Sequence, residues 1–143
     1  MIRLTDIKVA INSVLKDSFP DHKRYADEIK EGFDRPCFFV QIIPVIFNYD
    51  TVNFSSNKLM IVINYFSRDG TDLENLKMYD ELKQAFGTTL AVQGRHLDLQ
   101  DIRTDTTDGV LQFKFDLDFF DGITKDEEIH ELMRELELTQ RSD

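Results

Sequence analysis

The stretch "CFFVQIIPVIF", residues 37 to 47, constrains the fold more than any other part of the chain. Both of its alternating sets are apolar. Cys37, Phe39, Ile43, Val45 and Phe47 form one, and Phe38, Val40, Ile42 and Ile46 the other. Successive side chains of a strand point to opposite faces, so this strand is expected to be covered on both. Pro44 has no N–H to give to a ladder, which predicts a sheet edge or a bulge at that point.

A polar connection, "NYDTVNFSSN", follows and is expected to be an exposed hairpin link. "KLMIVINYF" then returns with Leu59, Ile61, Ile63 and Tyr65 on one face. After the turn "DTTDG", a further long strand runs from Val110 through "FKFDLDFFDG". In it Leu111, Phe113, Phe115, Leu117 and Phe119 alternate with Gln112, Lys114, Asp116 and Asp118. Strict period-two alternation predicts a half-buried strand whose acids lie on a wet face.

Helical spacing appears in three places. Thr5 is read as the cap of a helix carrying Ile7, Ile11, Val14 and Leu15 and ending near Ser18. Thr71 and Glu74 make a capping box ahead of Leu76, Tyr79, Leu82 and Phe86, with Gly87 as the stop. Thr124 and Glu127 make a second box, opening an amphipathic helix through Ile129, Leu132, Met133 and Leu136. A short polar strand is expected from His22 to Ile29, and a weaker one from Leu90 to Arg103, interrupted at Gly94. The order α-β-β-β-α-β-β-α predicts an α+β fold: an antiparallel sheet of about four to five strands, helices packed on one face, and a C-terminal amphipathic helix. Residues 1–122 form one domain; residues 123–143 add the charged helix and a frayed tail.

Composition narrows the function. The 27 acids outnumber the 17 bases, for a formal charge of −10, and such a surface repels phosphate backbones. Sequence-reading contact with nucleic acid is therefore not expected. The first residues lack the apolar run of a signal peptide, and no segment reaches membrane-spanning length. Cys37, the single cysteine, lies beside Phe38 and Phe39 and reads as a buried, inert thiol.

Catalytic patterns are sparse. Counted from Asp116, a calcium loop fails, because its fifth position is Phe120 and Gly122 arrives one residue late. Asp116 and Asp118 do share a strand face, so a small metal-dependent hydrolase built on that pair is the enzymatic alternative. His22, His96 and His130 are widely separated and form no ligand motif. No P-loop, G-x-S-x-G or G-x-G-x-x-G is present, so neither enzyme nor cofactor is expected.

"LTDIKVAI", "GFDRPCFFVQIIPV", "INYF" and "DGVLQFKFDLDF" together resemble a family of small tail-terminator proteins. These belong to long-tailed bacteriophages and prophages, chiefly of Gram-positive hosts. The resemblance runs in order from Leu4 to Phe120, and "RPCFFVQIIPV" is its most specific part. It implies a structural protein of the virion tail and neck, made in the host bacterial cytoplasm. Six copies would form a homohexameric ring on the finished tail tube, stop its growth, and meet head-completion or neck proteins. In contractile tails the ring would also engage sheath protein. No catalytic or metal residue is implied. Six copies would carry a charge of about −60, which disfavours retention of passing DNA wherever it lines the lumen. A head–tail adaptor or completion protein is the alternative within the same assembly. Contact residues expected from the sequence are Phe47, Tyr49 and Phe54 at the hairpin, and Ile129, Leu132, Met133 and Leu136 on the terminal helix.

Overall fold

The computed structural model describes residues 2–25 and 34–122. Helix α1 spans Leu4–Ser18 and buries Ile7, Ile11 and Leu15, one stripe at four-residue spacing. Its cap differs from the sequence expectation. Arg3 holds the N-cap position, and its N–H donates to Asp6 Oδ2 at 2.9 Å. Thr5 lies inside the helix, where the Asp6 carboxylate, attracted to the positive end of the helix dipole, does the capping.

Helix α2, Asp72–Phe86, begins as predicted. Glu74 N–H donates to Thr71 Oγ1 at 3.3 Å, and Thr71 N–H returns to Glu74 Oε2 at 3.4 Å. It ends at Gly87, whose positive φ of 62° suits a residue without a Cβ. The buried stripe is Asn75, Met78, Leu82 and Phe86, while Leu76 points outward and Tyr79 is half-buried. Asn75 Nδ2 donates to the Gly109 carbonyl at 3.1 Å, a contact consistent with turning Asn75 rather than Leu76 inward.

The strands are β1 (Lys23–Tyr25), β2 (Cys37–Tyr49), β3 (Phe54–Phe66), β4 (Thr89–Val92), β5 (Arg95–Thr107) and β6 (Val110–Gly122). They form one sheet in the order β1-β2-β3-β6-β5-β4. Two features correct the sequence reading. Among the described residues the sheet has six strands rather than four or five. It is also mixed, because β1 pairs parallel to β2 while the other pairings are antiparallel. The extra strand comes from the segment read as one weak strand, 90 to 103. Gln93 and Gly94 both take positive φ, 49° and 78°, and fold it into the β4–β5 hairpin. The short strand expected from His22 to Ile29 is seen as β1, and its remainder lies outside the described residues.

Turns are tighter than expected. "DTT" belongs to β5, leaving Asp108 and Gly109, with φ of 52° and 77°, as the two-residue turn. A Cβ on Gly109 would sit 3.1 Å from the Gly70 carbonyl oxygen, so glycine also permits close approach to the loop before α2. The link "NYDTVNFSSN" shrinks likewise, since Tyr49 still belongs to β2 and Phe54 already belongs to β3.

Both helices pack on one face of the sheet, as the α+β expectation requires. The core joins Ile7, Ile11 and Leu15 of α1 and Met78, Leu82 and Phe86 of α2 to the inward sets of the strands. Those sets include Phe38 and Val40 of β2, Leu59, Ile61, Ile63 and Tyr65 of β3, and Leu111 to Phe119 of β6 in alternation. Cys37 is buried, as expected, and burial pushes its thiol up to about 11.

The expectation that β2 is covered on both faces holds only for its first four residues. Cys37–Val40 are buried, and beyond Gln41 the strand is largely exposed. Among the described residues β1 runs beside Cys37, Phe38 and Phe39, at the start of β2. At Pro44 the strand has a bulge, between Pro44 and Ile46, and no partner strand on its other edge among the described residues. The predicted C-terminal helix lies outside the described residues.

Candidate functional site

From Gln41 onward β2 continues with β3 as a hairpin arm. Its tip is well bonded. Asp50 N–H and Thr51 N–H donate to the Phe54 carbonyl at 3.0 and 3.2 Å, and Phe54 N–H donates to Thr51 Oγ1 at 3.1 Å. Ser56 Oγ lies 3.3 Å from Asp50 Oδ1, across the two sides of the turn. The arm is therefore a continued ladder with a hydrogen-bonded tip.

Register places the arm's apolar side chains on two faces. Directly opposed residues of an antiparallel pair share a face. Phe47 faces Asn57, and Tyr49 faces Ser55, so both extend the core face outward. Ile46 faces Lys58, which in turn faces Asp118, and Ser56 faces Phe120. Ile46, Phe54 and Phe120 thus lie on the outer face, away from the helices. Phe47 and Tyr49 meet edge to face with ring centroids 4.8 Å apart. Phe54, expected beside them, lies across the strand from that pair.

Exposure makes the arm unusual. Tyr49 is 66% exposed, Phe120 69% and Val52 88%, while Ile43, Val45, Ile46, Phe47 and Phe54 are also exposed. On the outer face Ile46, Ser56, Lys58, Asp118 and Phe120 line an open groove. Clusters of exposed apolar side chains mark protein–protein contact sites, whereas single ones need no explanation.

Beside the arm's tip, opposite Ser55, the end of β6 is held by polar contacts. Asp121 is buried; its Oδ2 accepts from Ile2 N–H at 2.8 Å, and its Oδ1 lies 3.6 Å from the Arg95 guanidinium. Arg95 also donates to the Phe120 carbonyl at 2.7 Å. A buried carboxylate with a cation and an amide around it is costly to displace, so it fixes the end of β6.

Of the residues expected from the sequence, the structure brings Phe47 and Tyr49 together and sets Phe54 on the opposite face. Ile129, Leu132, Met133 and Leu136 lie outside the described residues. Sequence reasoning passed over Ile43, Ile46, Val52 and Phe120 as surface residues. Phe120 carried a signal: it follows Phe119 directly and so must face the other way from the buried set.

The enzymatic alternative meets a different geometry from the one expected. Asp118 is exposed, but Asp116 is buried rather than on a wet face. Its Oδ1 accepts from Arg103 Nη2 of β5 at 3.2 Å. Period two reports which face a residue occupies, but not that a neighbouring strand will lay an arginine over it. Among the described residues no group of three or more His, Cys, Asp or Glu side chains is placed to hold a metal. His22 sits among Phe19, Phe38 and Tyr65, and burial lowers its pKa, while His96 is exposed. No helix among the described residues is long and apolar enough to cross a membrane.

Comparison with known proteins adds the family. One solved structure aligns at 12% identity over 87% of this chain and 99% of its own, with a TM-score of 0.47, a likeness too slight to argue from. No curated protein matches the chain. The family model described as phage tail terminator protein matches residues 6–129, most of the chain's length. The chain belongs to the phage tail terminator protein family.

Proposed function

We propose that this protein caps the phage tail tube as a ring of six copies, ends its polymerisation, and offers the tail-side surface that head-completion or neck proteins join. Family membership supports the terminator role. The observation that carries the assembly reading is the exposed apolar arm, with Phe47 and Tyr49 on one face and Phe54 on the other. Side chains of this kind anchor interfaces once desolvated. Its partners are other copies of itself, the tail tube protein, head-completion or neck proteins and, in a contractile tail, the sheath protein. The role is structural rather than catalytic, and its place is the tail and neck of the virion, after synthesis in the host cytoplasm. A Gram-positive host, prophage or phage, rests on the sequence resemblance alone.

Electron microscopy of particles made without the protein tests this. Tubes of uncontrolled length, unattached to heads, are expected. Tails of normal length that lack only the head junction would identify a head–tail adaptor or completion protein instead.

A further inference from the structure

We propose that the exposed half of β2 pairs, as an added antiparallel strand, with the outer edge of β5 in a second copy of this chain, laying Phe47 and Tyr49 into a groove beside α2. The pairing rests on the ring reading above and supplies that ring's contact between copies.

Two strand edges carry it. Among the described residues, β1 lies beside β2 only at Cys37, Phe38 and Phe39, and β4 lies beside β5 only at residues 95–98. Beyond those points each strand has its ladder on one side, from β3 and from β6 respectively. An edge of this kind presents a row of N–H and C=O groups and is a template for another strand. Residues 46–49 of β2 and 103–107 of β5 are such rows, and the β-branched Thr104, Thr106 and Thr107 suit pairing.

Direction and face agree. Three antiparallel pairings in succession, β2 with β3, β3 with β6 and β6 with β5, leave β2 and β5 running opposite ways. A second copy turned about an axis roughly along the strands therefore brings β2 antiparallel to β5 with the helix-bearing face continuous. Thr106 and Thr104 pair with Leu111 and Phe113, which belong to the core face. Keeping that face sets Phe47 opposite Thr106 and Tyr49 opposite Thr104. Beside these threonines lies a groove walled by Leu76 and Tyr79 of α2 and floored by Leu111. Leu76 is 63% exposed, and two incoming aromatic rings would cover it.

The two edges are free of strands at opposite ends of the sheet. Phe47 shares a row with Phe119, and Thr106 with Leu111, eight positions away along β6. The incoming copy is therefore shifted roughly 27 Å along the strands. That shift carries its β1 past the end of β5 and keeps its tip short of β4. Because the two edges differ, the contact is heterologous, and successive copies close a ring whose strands tilt to its axis as in a barrel. Pairing of two β2 edges would instead close a dimer and leave the groove beside α2 unfilled.

Two full-length variants, Asn48→Cys and Asp105→Cys, test the register, since it sets these exposed positions opposite each other on the outer face. Cys37 is buried and its thiol, pushed up to about 11, stays out of the reaction. With a short bifunctional thiol reagent, the mixed variants should give dimers and each variant alone none. Dimers from either variant alone would reveal a symmetric edge pairing, and rings without any cross-link would place the contact elsewhere; both overturn the pairing and leave the ring standing. A chain that neither associates nor cross-links at high concentration overturns it too, while tail length in particles judges the terminator role separately. In a further pair of full-length variants, Leu76→Glu should weaken association about tenfold with the melting temperature unchanged, and Val9→Glu, equally exposed on α1, should leave association as it is. Unaltered association in Leu76→Glu, or equal weakening by both, would overturn the proposal.

Discussion

The two halves of β2 have similar composition and opposite fates. Cys37–Val40 are buried on both faces, whereas Ile43, Val45, Ile46 and Phe47, no less apolar, are exposed. Local sequence does not explain the difference; neighbours do. The first half has β1 along one edge, α1 on the core face, and Phe39 stacked with Tyr25 at 5.1 Å. The second half has β3 along one edge and no strand along the other among the described residues. An apolar strand segment reports that burial is wanted, not whether its own chain supplies it.

Substitutions at the two ends should separate these fates. Phe113 is fully buried beside Phe86 and Phe115, so Phe113→Ala should cost about 3–5 kcal/mol in denaturant unfolding. A loss below about 1 kcal/mol would mean that this half is less tightly packed than described.

On the arm, Phe47→Ser with Tyr49→Ser should lower monomer stability by no more than about 1.5 kcal/mol, the scale of one aromatic pair. Assembly, read by sedimentation or microscopy of rings, should fall much further. Loss of several kcal/mol with assembly intact would show that the pair belongs to folding and would erase the contrast.

Smaller effects sharpen the supported half. Thr71→Ala removes the side-chain cap of α2 and should cost about 1 kcal/mol in the same unfolding assay. The least effect concerns pH. Burial among rings lowers the pKa of His22, while Glu81 and Asp21 partly oppose the shift. The unfolded chain then binds the proton more readily, so stability rises as pH climbs through the lowered value and is complete above about 6.5. His22→Gln should flatten that slope in melts between pH 5 and 7, and an unchanged slope would place its origin elsewhere.

Much of the supported half was legible in the sequence. The capping box at Thr71 and Glu74, the stop at Gly87, the inward set of β6 and the irregularity at Pro44 follow from local chemistry, and each appears as expected. What stayed hidden depended on partners distant in sequence. The parallel pairing of β1, the arginine over Asp116 and the inward turn of Asn75 each need a neighbour at least thirteen residues away, Phe39, Arg103 and Gly109 respectively. For the candidate site, the sequence supplied the aromatics but not their faces. A loop reading put Phe47, Tyr49 and Phe54 in one connection, and the ladder register divides them.

The place of β6 has a consequence for synthesis. It is the last strand among the described residues, yet it lies between β3 and β5, near the middle of the sheet. Until it emerges, the β2–β3 hairpin and the β4–β5 hairpin share no ladder. A nascent chain stalled anywhere before residue 110 therefore holds two half-sheets without the strand that joins them. The Ile2 amide is satisfied later still, since its acceptor is Asp121. Such late, non-local closure predicts slow folding, in milliseconds to seconds, and little native structure on the ribosome. The described sheet is therefore complete only once β6 has emerged.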